Sequence, residues 1–179
     1  FNIILNSDVD TVIKAMGGSH PAYEYTVAAL KAKKNVITSN KEVVSLYLDE
    51  FLALAEENGV VYRFEASVGG GIPVISPLIS LLRHNKIREV RGILNGTTNY
   101  MLTKMADEGA EFDDVLKDAQ DKGYAEKDPT ADIEGHDPCR KIAILTSLVA
   151  GQQVDFEDIH CEGITKISAT DIKYAKAMN

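Results

Sequence analysis

The sequence predicts an α/β fold in which part of a doubly wound parallel sheet is followed by an α+β domain. Two features of the 179 residues lead to this fold class. Strand-like apolar runs alternate with helical segments through the first third of the chain, and the links between them are short. After Ser67 this alternation stops, and helical segments follow one another, several of them ended by a glycine. We therefore expect the second part of the chain, after Ser67, to form a separate α+β domain.

The first domain is predicted to alternate between strands and helices. We expect a strand at 1–5, a buried strand within 8–18, a helix within 20–34, a strand within 35–40, a helix within 41–59 and a strand within 60–67. Pro21 suits the first turn of one helix, and Gly59 suits the end of the other. Short links in this order indicate parallel strands joined by right-handed crossovers, which is half of a doubly wound nucleotide-binding sheet.

The second domain is richer in helices. After a glycine loop we expect a helix within 72–85, a strand with one solvent-exposed face at 86–95, and helices within 96–109, 112–123, 138–151 and 168–178. Asp137 suits the N-cap of the helix at 138–151, and Pro138 suits its first position. Ser168 and Asp171 have the spacing of a capping box at the last helix.

The bulk composition limits the partners of this chain. A formal net charge of −8 argues against nucleic acid or an anionic membrane as the main partner. No apolar run approaches the roughly 20 residues that a membrane-spanning helix needs. Cys139 and Cys161 do not make a disulfide framework, so we expect a reducing, cytoplasmic location. Because the chain starts in a strand-like run and stops directly after a helical one, we expect it to be a fragment.

The glycine run Gly69–Gly71 does not match a phosphate-binding motif. It lacks the third glycine of G-x-G-x-x-G, and no P-loop lysine follows it. A close-packed loop and a loop whose backbone faces a ligand or ion are equally good interpretations, since both need the small glycine. The histidines and cysteines at 136–139 and 160–161 lack the paired spacing of a zinc site, so we interpret them as ordinary surface or core residues.

Charged residues crowd the segment 121–145 before it turns apolar. A capped, solvated helix start with an ion pair between Asp137 and Lys141 is one interpretation, and these two residues alone favour it. A substrate pocket is the other. The helix dipole lowers the pKa of a lysine in a first turn while nearby carboxylates raise it, which suits a proton donor that works near neutrality. The remaining carboxylates could hold a cationic group such as an α-ammonium.

Four segments together resemble homoserine dehydrogenases. They are VITSNKEVV at 36–44, FEASVGGGIPVI at 64–75, NGTTNYMLTKM at 95–105 and GYAEKDPTADIEGHDPCRKIAIL at 123–145. They occur in the family's order across nearly the whole chain, and the last is highly specific. This family reduces L-aspartate 4-semialdehyde to L-homoserine with NADPH or NADH, on the route to threonine, isoleucine and methionine. The resemblance implies the C-terminal half of a Rossmann-like dinucleotide-binding domain at 1–64 and a catalytic and dimerisation domain at 65–179.

The resemblance also implies roles for individual side chains. Lys141 matches the lysine that protonates the carbonyl oxygen as hydride arrives, and Asp132 matches the acidic residue that orients it. Glu126 and Asp137 match carboxylates that bind the amino acid. Lys41 matches a second lysine beside the nicotinamide and the substrate. A cation within hydrogen-bond reach of the carbonyl oxygen is what hydride addition requires, because negative charge builds on that oxygen.

Further positions match contacts with the NADP or NAD cofactor and with an ion. Gly123 matches a backbone contact with the cofactor, to which Lys41 and Glu126 also correspond. The resemblance further implies a monovalent-cation site, such as one for sodium, that is built largely from carbonyl oxygens. Its residues are Glu65, Val68, Gly70 and Ile72.

The chain departs from the family by lacking the G-x-G-x-x-G turn and the residue that selects NAD or NADP, both of which should precede residue 1. We therefore expect this chain alone to bind dinucleotide weakly and to be nearly inactive. The family is commonly dimeric, so we expect a homodimer with a small-molecule substrate and no nucleic-acid or membrane partner. Two alternatives stay open: a non-catalytic binding or dimerisation module, and a related amino-acid semialdehyde dehydrogenase.

Overall fold

A computed structural model of the chain describes residues 2–6 and 8–178, which form two compact units. The first unit takes in the described residues up to 90 together with 140–159, and the second takes in 91–139 together with 160–178. Each unit is therefore built from two separate stretches of chain. The sequence-predicted domains, 1–64 and 65–179, stay a prediction, because compact units and domains along a chain need not coincide.

The first unit contains a sheet in which the described residues form three parallel strands. These are β1 (Thr11–Lys14), β2 (Asn35–Thr38) and β3 (Tyr62–Arg63), in the spatial order β1-β2-β3. Helix α2 (Ala22–Lys31) connects β1 to β2, and helix α3 (Lys41–Asn58) connects β2 to β3. The predicted strand–helix–strand–helix–strand order is confirmed. Gly59 ends α3 in the left-handed conformation, as its position in the sequence predicts.

The two faces of this sheet differ in burial. Val36 and Tyr62, which are register partners, are only 1% and 5% exposed, and the ring of Phe51 in α3 packs 5.1 Å from that of Tyr62. On the other face Ile13 and Ile37 are partners and are 75% and 42% exposed. The prediction of a buried strand within 8–18 is therefore wrong. Among the described strands β1 lies at the edge, and alternate side chains point to opposite faces, only one of which the described residues cover.

Lys14 is a buried charge on the covered face. Its Nζ donates a hydrogen bond to the carbonyl oxygen of Ala22 at 3.2 Å, and the residue is 6% exposed. Burial lowers the pKa of Lys14 to about 8, because the ammonium form loses its hydration. An alternating strand pattern does not show this lysine to be buried, since lysine is rarely an inward residue.

Two predicted strands are absent from the described residues. Helix α1 (Asn2–Asn6) occupies most of the segment 1–5, and Phe1 lies outside the described residues. A run of five apolar-rich residues is too short for its periodicity to separate strand from helix. The segment 86–95 has no regular structure, and Ile93 is 77% exposed. A strand needs a ladder partner, and within residues 2–6 and 8–178 this segment pairs with none.

Helices dominate the chain after β3. A short 3₁₀ turn at Glu65–Ser67 is followed by α4 (Ile75–Leu82), α5 (Gly96–Glu108), α6 (Phe112–Asp121), α7 (Thr130–Ile133), α8 (His136–Ala150) and α9 (Ala169–Met178). The second unit has a core of Met101, Met105, Val115 and Ala119, each at most 1% exposed. The capping box at α9 is confirmed, because Ser168 N donates to Asp171 Oδ2 and Asp171 N donates to Ser168 Oγ. None of the described helices combines the length and apolarity that crossing a bilayer takes.

Helix α4 is capped by a distant carboxylate, that of Glu65. Glu65 Oε1 accepts hydrogen bonds from the backbone N–H groups of Val74 and Ile75, at 2.7 and 2.8 Å. Its Oε2 accepts from both the backbone and the hydroxyl of Ser76. Partial burial raises the pKa of Glu65, but these four hydrogen bonds outweigh it, and the pKa lies below its usual range. The carboxylate therefore satisfies the free N–H groups at the start of α4 while the chain turns through its glycine loop.

We expect Glu65→Gln to lower the free energy of unfolding at pH 7 by about 1 kcal/mol, the usual size of a lost N-terminal cap. The folded-state pKa of Glu65 is depressed, so its contribution is present above the unfolded-state pKa and is lost as the pH falls through the folded-state value. The gap between wild type and variant should therefore close in acid. Denaturant unfolding at several pH values measures it, with Glu57→Gln on the exposed side of α3 as control. A pH-independent gap contradicts the prediction.

Candidate active site

The charged segment ahead of α8 forms a tight turn between α7 and the first residues of α8, within the second unit. Helix α7 ends at Ile133, Gly135 has a left-handed φ of 86°, and α8 begins at His136. The first helical hydrogen bond runs from Cys139 N to the carbonyl oxygen of Gly135, at 3.0 Å. The predictions that Asp137 is the N-cap and Pro138 the first helical residue are therefore wrong, since both lie inside the first turn.

Asn95 joins the two carboxylates of this turn. Its Nδ2 donates to Asp132 Oδ1 at 2.7 Å and to Asp137 Oδ2 at 2.9 Å. Its Oδ1 accepts from the backbone N–H and the hydroxyl of Thr98, at 2.9 and 3.0 Å, so that Asn95 also caps α5. Asn95 and Asp137 are only 7% and 5% exposed. One buried amide thus holds Asp132 of α7 and Asp137 of α8 against the start of α5.

The segment 161–164 packs against the turn between α7 and α8. Ile164 N donates to the carbonyl oxygen of Ile133 at 2.8 Å. A Cβ atom at Gly163 would lie 2.6 Å from the Cα of Glu134, closer than real Cβ contacts come, so only glycine lets the two backbones approach. The same segment abuts Gly135, where a Cβ would lie 3.0 Å from the carbonyl oxygen of Glu162. Backbone packing therefore sets the path of the chain that carries Asp132 and Asp137.

Glu126 lies on an exposed loop after α6 that is held through its backbone. Gln120 Nε2 donates to the carbonyl oxygens of Glu126 and Lys127, at 3.1 and 3.4 Å. Thr97 Oγ1, at the start of α5, donates to the carbonyl oxygen of Tyr124 at 2.7 Å. Gly123 begins the loop with a left-handed φ of 76°. The Glu126 side chain is thus exposed on a loop whose backbone is anchored to α5 and α6.

A cluster of charged residues ties α5 to α6 beneath this loop. Asp118 Oδ2 accepts from Lys104 Nζ at 2.7 Å, from Lys122 Nζ at 2.9 Å and from the hydroxyl of Tyr100. These bonds, that from Lys104 first, hold the pKa of Asp118 well below its usual range. Hydrogen bonds to Tyr100 and Asp118 raise the pKa of Lys122. The ring of Tyr100 packs 4.7 Å from that of Tyr124, which continues the contact into the loop.

In the first unit, Asn40 organises the carboxyl ends of β1 and β2. Its Oδ1 caps α3 by accepting from the N–H groups of Glu42 and Val43, at 3.0 and 3.2 Å. Its Nδ2 donates to the carbonyl oxygens of Met16 and Gly18, at 2.9 and 2.7 Å, which closes the loop after β1. Lys41 follows directly as the first residue of α3 and is half-buried. Loops at the carboxyl ends of parallel strands are where ligands bind in open α/β sheets.

Lys141 lies in the part of α8 that belongs to the first unit. It is half-buried and stands four residues after Asp137 in one helix. Because α8 begins at His136, Lys141 is its sixth residue, and the prediction that it lies in the first helical turn is wrong. The residues that follow it, from Ala143 to Leu145, are fully buried, which confirms the predicted change from charged to apolar. The guanidinium of the neighbouring Arg140 lies 5.1 Å from the ring centre of Phe156. The helix that carries Lys141 is therefore firmly packed within its unit.

The glycine loop of the first unit makes a tight turn between Val68 and Ile72. Gly69 and Gly70 both have positive φ angles, of 79° and 59°, and Ile72 N donates to the carbonyl oxygen of Gly69 at 3.0 Å. Val68 is fully buried and Ile72 is 67% exposed. The Glu65 carboxylate is committed to capping α4, so the atom that Glu65 could still offer an ion is its carbonyl oxygen.

The sequence-predicted site residues divide between the two units. The first unit holds Lys41, Lys141 and the glycine-loop residues Glu65, Val68, Gly70 and Ile72; the second holds Gly123, Glu126, Asp132 and Asp137. Within the second unit, Asp132 and Asp137 are brought together by Asn95. Sequence reasoning missed Asn95 and the double role of Asn40. The available signal was an asparagine directly before a helix, which predicts a cap but not the groups to which the amide nitrogen donates.

Family models match nearly the whole chain. The model described as homoserine dehydrogenase matches residues 73–179, and the one described as homoserine dehydrogenase, NAD binding domain matches residues 1–65. The homoserine dehydrogenase of Synechocystis sp. is 49% identical over 97% of this chain and 40% of its own length. That of Bacillus subtilis is 46% identical over 99% of this chain and 41% of its own length. The chain thus spans about 40% of the length of these curated relatives.

Solved structures agree with the sequence matches. A homoserine dehydrogenase from Thiobacillus denitrificans superposes with a TM-score of 0.95 at 43% identity, covering 99% of this chain and 41% of that one. A hyperthermophilic archaeal homoserine dehydrogenase mutant in complex with NADPH superposes with a TM-score of 0.87 at 30% identity, covering 96% and 52%. The carboxylates joined by Asn95, the lysine of α8 and the parallel sheet thus occur in a chain that belongs to the homoserine dehydrogenase family.

Proposed function

We propose that the protein to which this chain belongs is an NAD(P)-dependent homoserine dehydrogenase, which reduces L-aspartate 4-semialdehyde to L-homoserine. One observation carries the proposal beyond family membership. Asn95 holds Asp132 and Asp137 together at the start of the helix that also bears Lys141. A pair of carboxylates, one of them on the same helix as a lysine, suits a substrate that has both an ammonium group and a reacting carbonyl.

Each side chain then has a defined task. Glu126 and Asp137 bind the amino-acid part of the substrate, and Asp132 orients Lys141. As the carbonyl carbon receives hydride, negative charge builds on the carbonyl oxygen. Lys141 stabilises that oxygen and donates a proton to it from Nζ, which yields the alcohol. In the reverse direction the neutral Lys141 takes the proton from the hydroxyl group.

The cofactor is NADP or NAD, in keeping with the match to an NAD-binding domain and with the relative that is in complex with NADPH. When bound, its nicotinamide supplies the hydride. The first unit fits such a ligand because Asn40 holds the loops at the carboxyl ends of β1 and β2 with exposed backbone at Gly17 and Gly18. Lys41, Gly123 and Glu126 are the residues that would contact it. Neither Cys139 nor Cys161 forms a disulfide bond, which suits the cytoplasm.

We expect Lys141→Ala, in the full-length gene product, to lower kcat for homoserine oxidation by about 100- to 10,000-fold, the usual contribution of a general acid–base group. Homoserine-dependent reduction of NADP⁺ and NAD⁺, followed by absorbance, measures it. Lys166→Ala is the matched control, because Lys166 is an exposed lysine of the second unit. Calorimetric binding of homoserine should survive in both variants.

Two outcomes separate this proposal from its alternatives. A wild-type protein that reduces neither cofactor with homoserine is better explained as a non-catalytic binding or dimerisation module. Activity that favours another amino-acid alcohol over homoserine identifies a related semialdehyde dehydrogenase. Undiminished kcat in Lys141→Ala refutes the role given to Lys141 and leaves the activity itself standing.

A monovalent cation, such as sodium, is proposed to bind the carbonyl oxygens of the glycine loop at Glu65, Val68, Gly70 and Ile72. Support comes from the left-handed φ angles at Gly69 and Gly70, which turn the backbone sharply without side chains in the way. A site made of carbonyl oxygens suits a hard cation. Among the described residues, no cluster of histidine, cysteine or acidic side chains could hold a metal instead.

We expect sodium chloride to raise the melting temperature of the chain above that in choline chloride at equal ionic strength, since a ligand that binds the folded state stabilises it. Gly70→Ala should remove the sodium-specific increment, because alanine disfavours a φ of 59°. Gly71→Ala is the matched control, as it has open space around its Cβ and no positive φ. Equal melting temperatures in the two salts for the wild type contradict the proposal.

We further propose a homodimer. The segment 86–95 supports it, because its alternating sequence exposes Ile93 and forms no ladder within the described residues. Light scattering of the full-length protein at micromolar concentration should give twice the protomer mass. Ile93→Glu should shift the population towards monomer, and a wild-type mass of one protomer refutes the proposal.

A further inference from the structure

We propose that Asn95 is a positioning residue for the dehydrogenase reaction, which sets the spacing of the two carboxylates Asp132 and Asp137. The inference rests on the proposed function, in which Asp137 binds the substrate and Asp132 orients Lys141. Asn95 itself belongs to neither the substrate-binding nor the proton-transfer group. It acts through the two aspartates that its amide nitrogen contacts.

The hydrogen bonds of Asn95 determine the orientation of its amide. Both N–H groups are used, towards Asp132 at 2.7 Å and Asp137 at 2.9 Å, and the oxygen accepts twice from Thr98. A flipped amide would place its oxygen against two carboxylate oxygens and its NH₂ group against the backbone N–H of Thr98. Such a flip loses the bonds to both carboxylates and to the backbone N–H of Thr98, so the network itself selects one state.

A neutral donor is the right group for this position. Two carboxylates that approach each other repel, and the usual remedies are a cation between them or a proton on one of them. The amide supplies one hydrogen bond to each carboxylate and adds no charge of its own. A lysine or arginine at this position would instead place a positive charge against both carboxylates.

Asn95 also couples the site to the fold through three helices. It is the N-cap of α5, its partner Asp132 lies in α7, and its partner Asp137 lies in the first turn of α8. At 7% exposure it is shielded from water, which makes each bond costly to lose. Because Asn95 contacts all three helices, it holds the two carboxylates at a constant spacing relative to each other and to the start of α5.

The test compares two substitutions that both keep a cap for α5. Asn95→Ser retains a capping oxygen but replaces the two amide N–H donors with a single, shorter hydroxyl that cannot bridge both carboxylates. Asn95→Asp has the same shape and places a third carboxylate beside Asp132 and Asp137. Steady-state kinetics of the full-length protein with homoserine and NADP⁺, measured across pH, is the readout, and Asn99→Ser on the exposed face of α5 is the control.

We expect kcat/KM to fall about a hundredfold in both variants, as for other losses of alignment in a site. In Asn95→Asp alone, the acid limb of the pH profile should move to higher pH, because three adjacent carboxylates hold a proton more tightly. Folded variants with wild-type kcat, KM and pH profile overturn the inference while the dehydrogenase function stands. A wild-type protein without activity overturns the proposed function, and the catalytic role of Asn95 is overturned with it.

A second measurement needs no change at Asn95. In the ¹⁵N-asparagine-labelled chain, both side-chain N–H protons of Asn95 should exchange with solvent far more slowly than those of exposed Asn99. Asp132→Asn should shift one of the two protons and leave the other. Exchange as fast as that of Asn99 shows that the bridge is absent and overturns the inference, even if the substituted proteins do not fold.

Discussion

The arrangement of this chain depends on a single constraint: a buried amide must satisfy every one of its hydrogen-bonding groups. Asn95 and Asn40 both meet it in the same way. Each caps a helix with its side-chain oxygen and donates hydrogen bonds from its side-chain nitrogen to a second region. For Asn95 that region is the pair of carboxylates, and for Asn40 it is the loop after β1. Because an unpaired buried group costs about 1–3 kcal/mol, each of these asparagines fixes its surroundings more firmly than a surface contact could.

Three of the residues with a proposed role lie at the N-terminus of a helix. Lys41 begins α3, Asp137 lies in the first turn of α8, and Glu65 caps α4 from nine residues away. The N-terminus of a helix offers free N–H groups and a positive partial charge, so carboxylates and amides collect there and adopt fixed positions. The helix ends thus orient these polar side chains, and the apolar cores hold the helices in place.

Sequence reasoning succeeded where local signals are strong. Parallel β1–β3 with their connecting helices, the glycine stop at Gly59 and the capping box at α9 all follow from patterns within a few residues. It failed for segments whose state depends on distant partners. The strand expected at 86–95 lacks a ladder partner among the described residues, the run at 1–5 is too short for its periodicity to decide, and Asp137 is inside α8 because Gly135 takes the capping position.

The sequence by itself determined the fold class, the family and the candidate side chains, because motif residues such as Lys141, Asp132 and Asp137 have spacings that are read along the chain. Only the tertiary structure decided which groups meet. Asn95 is 37 residues from Asp132 and 42 from Asp137, and no local rule connects them. The bond forms because three helices converge and their buried polar groups must find partners, which is a property of the packed chain and not of any segment within it.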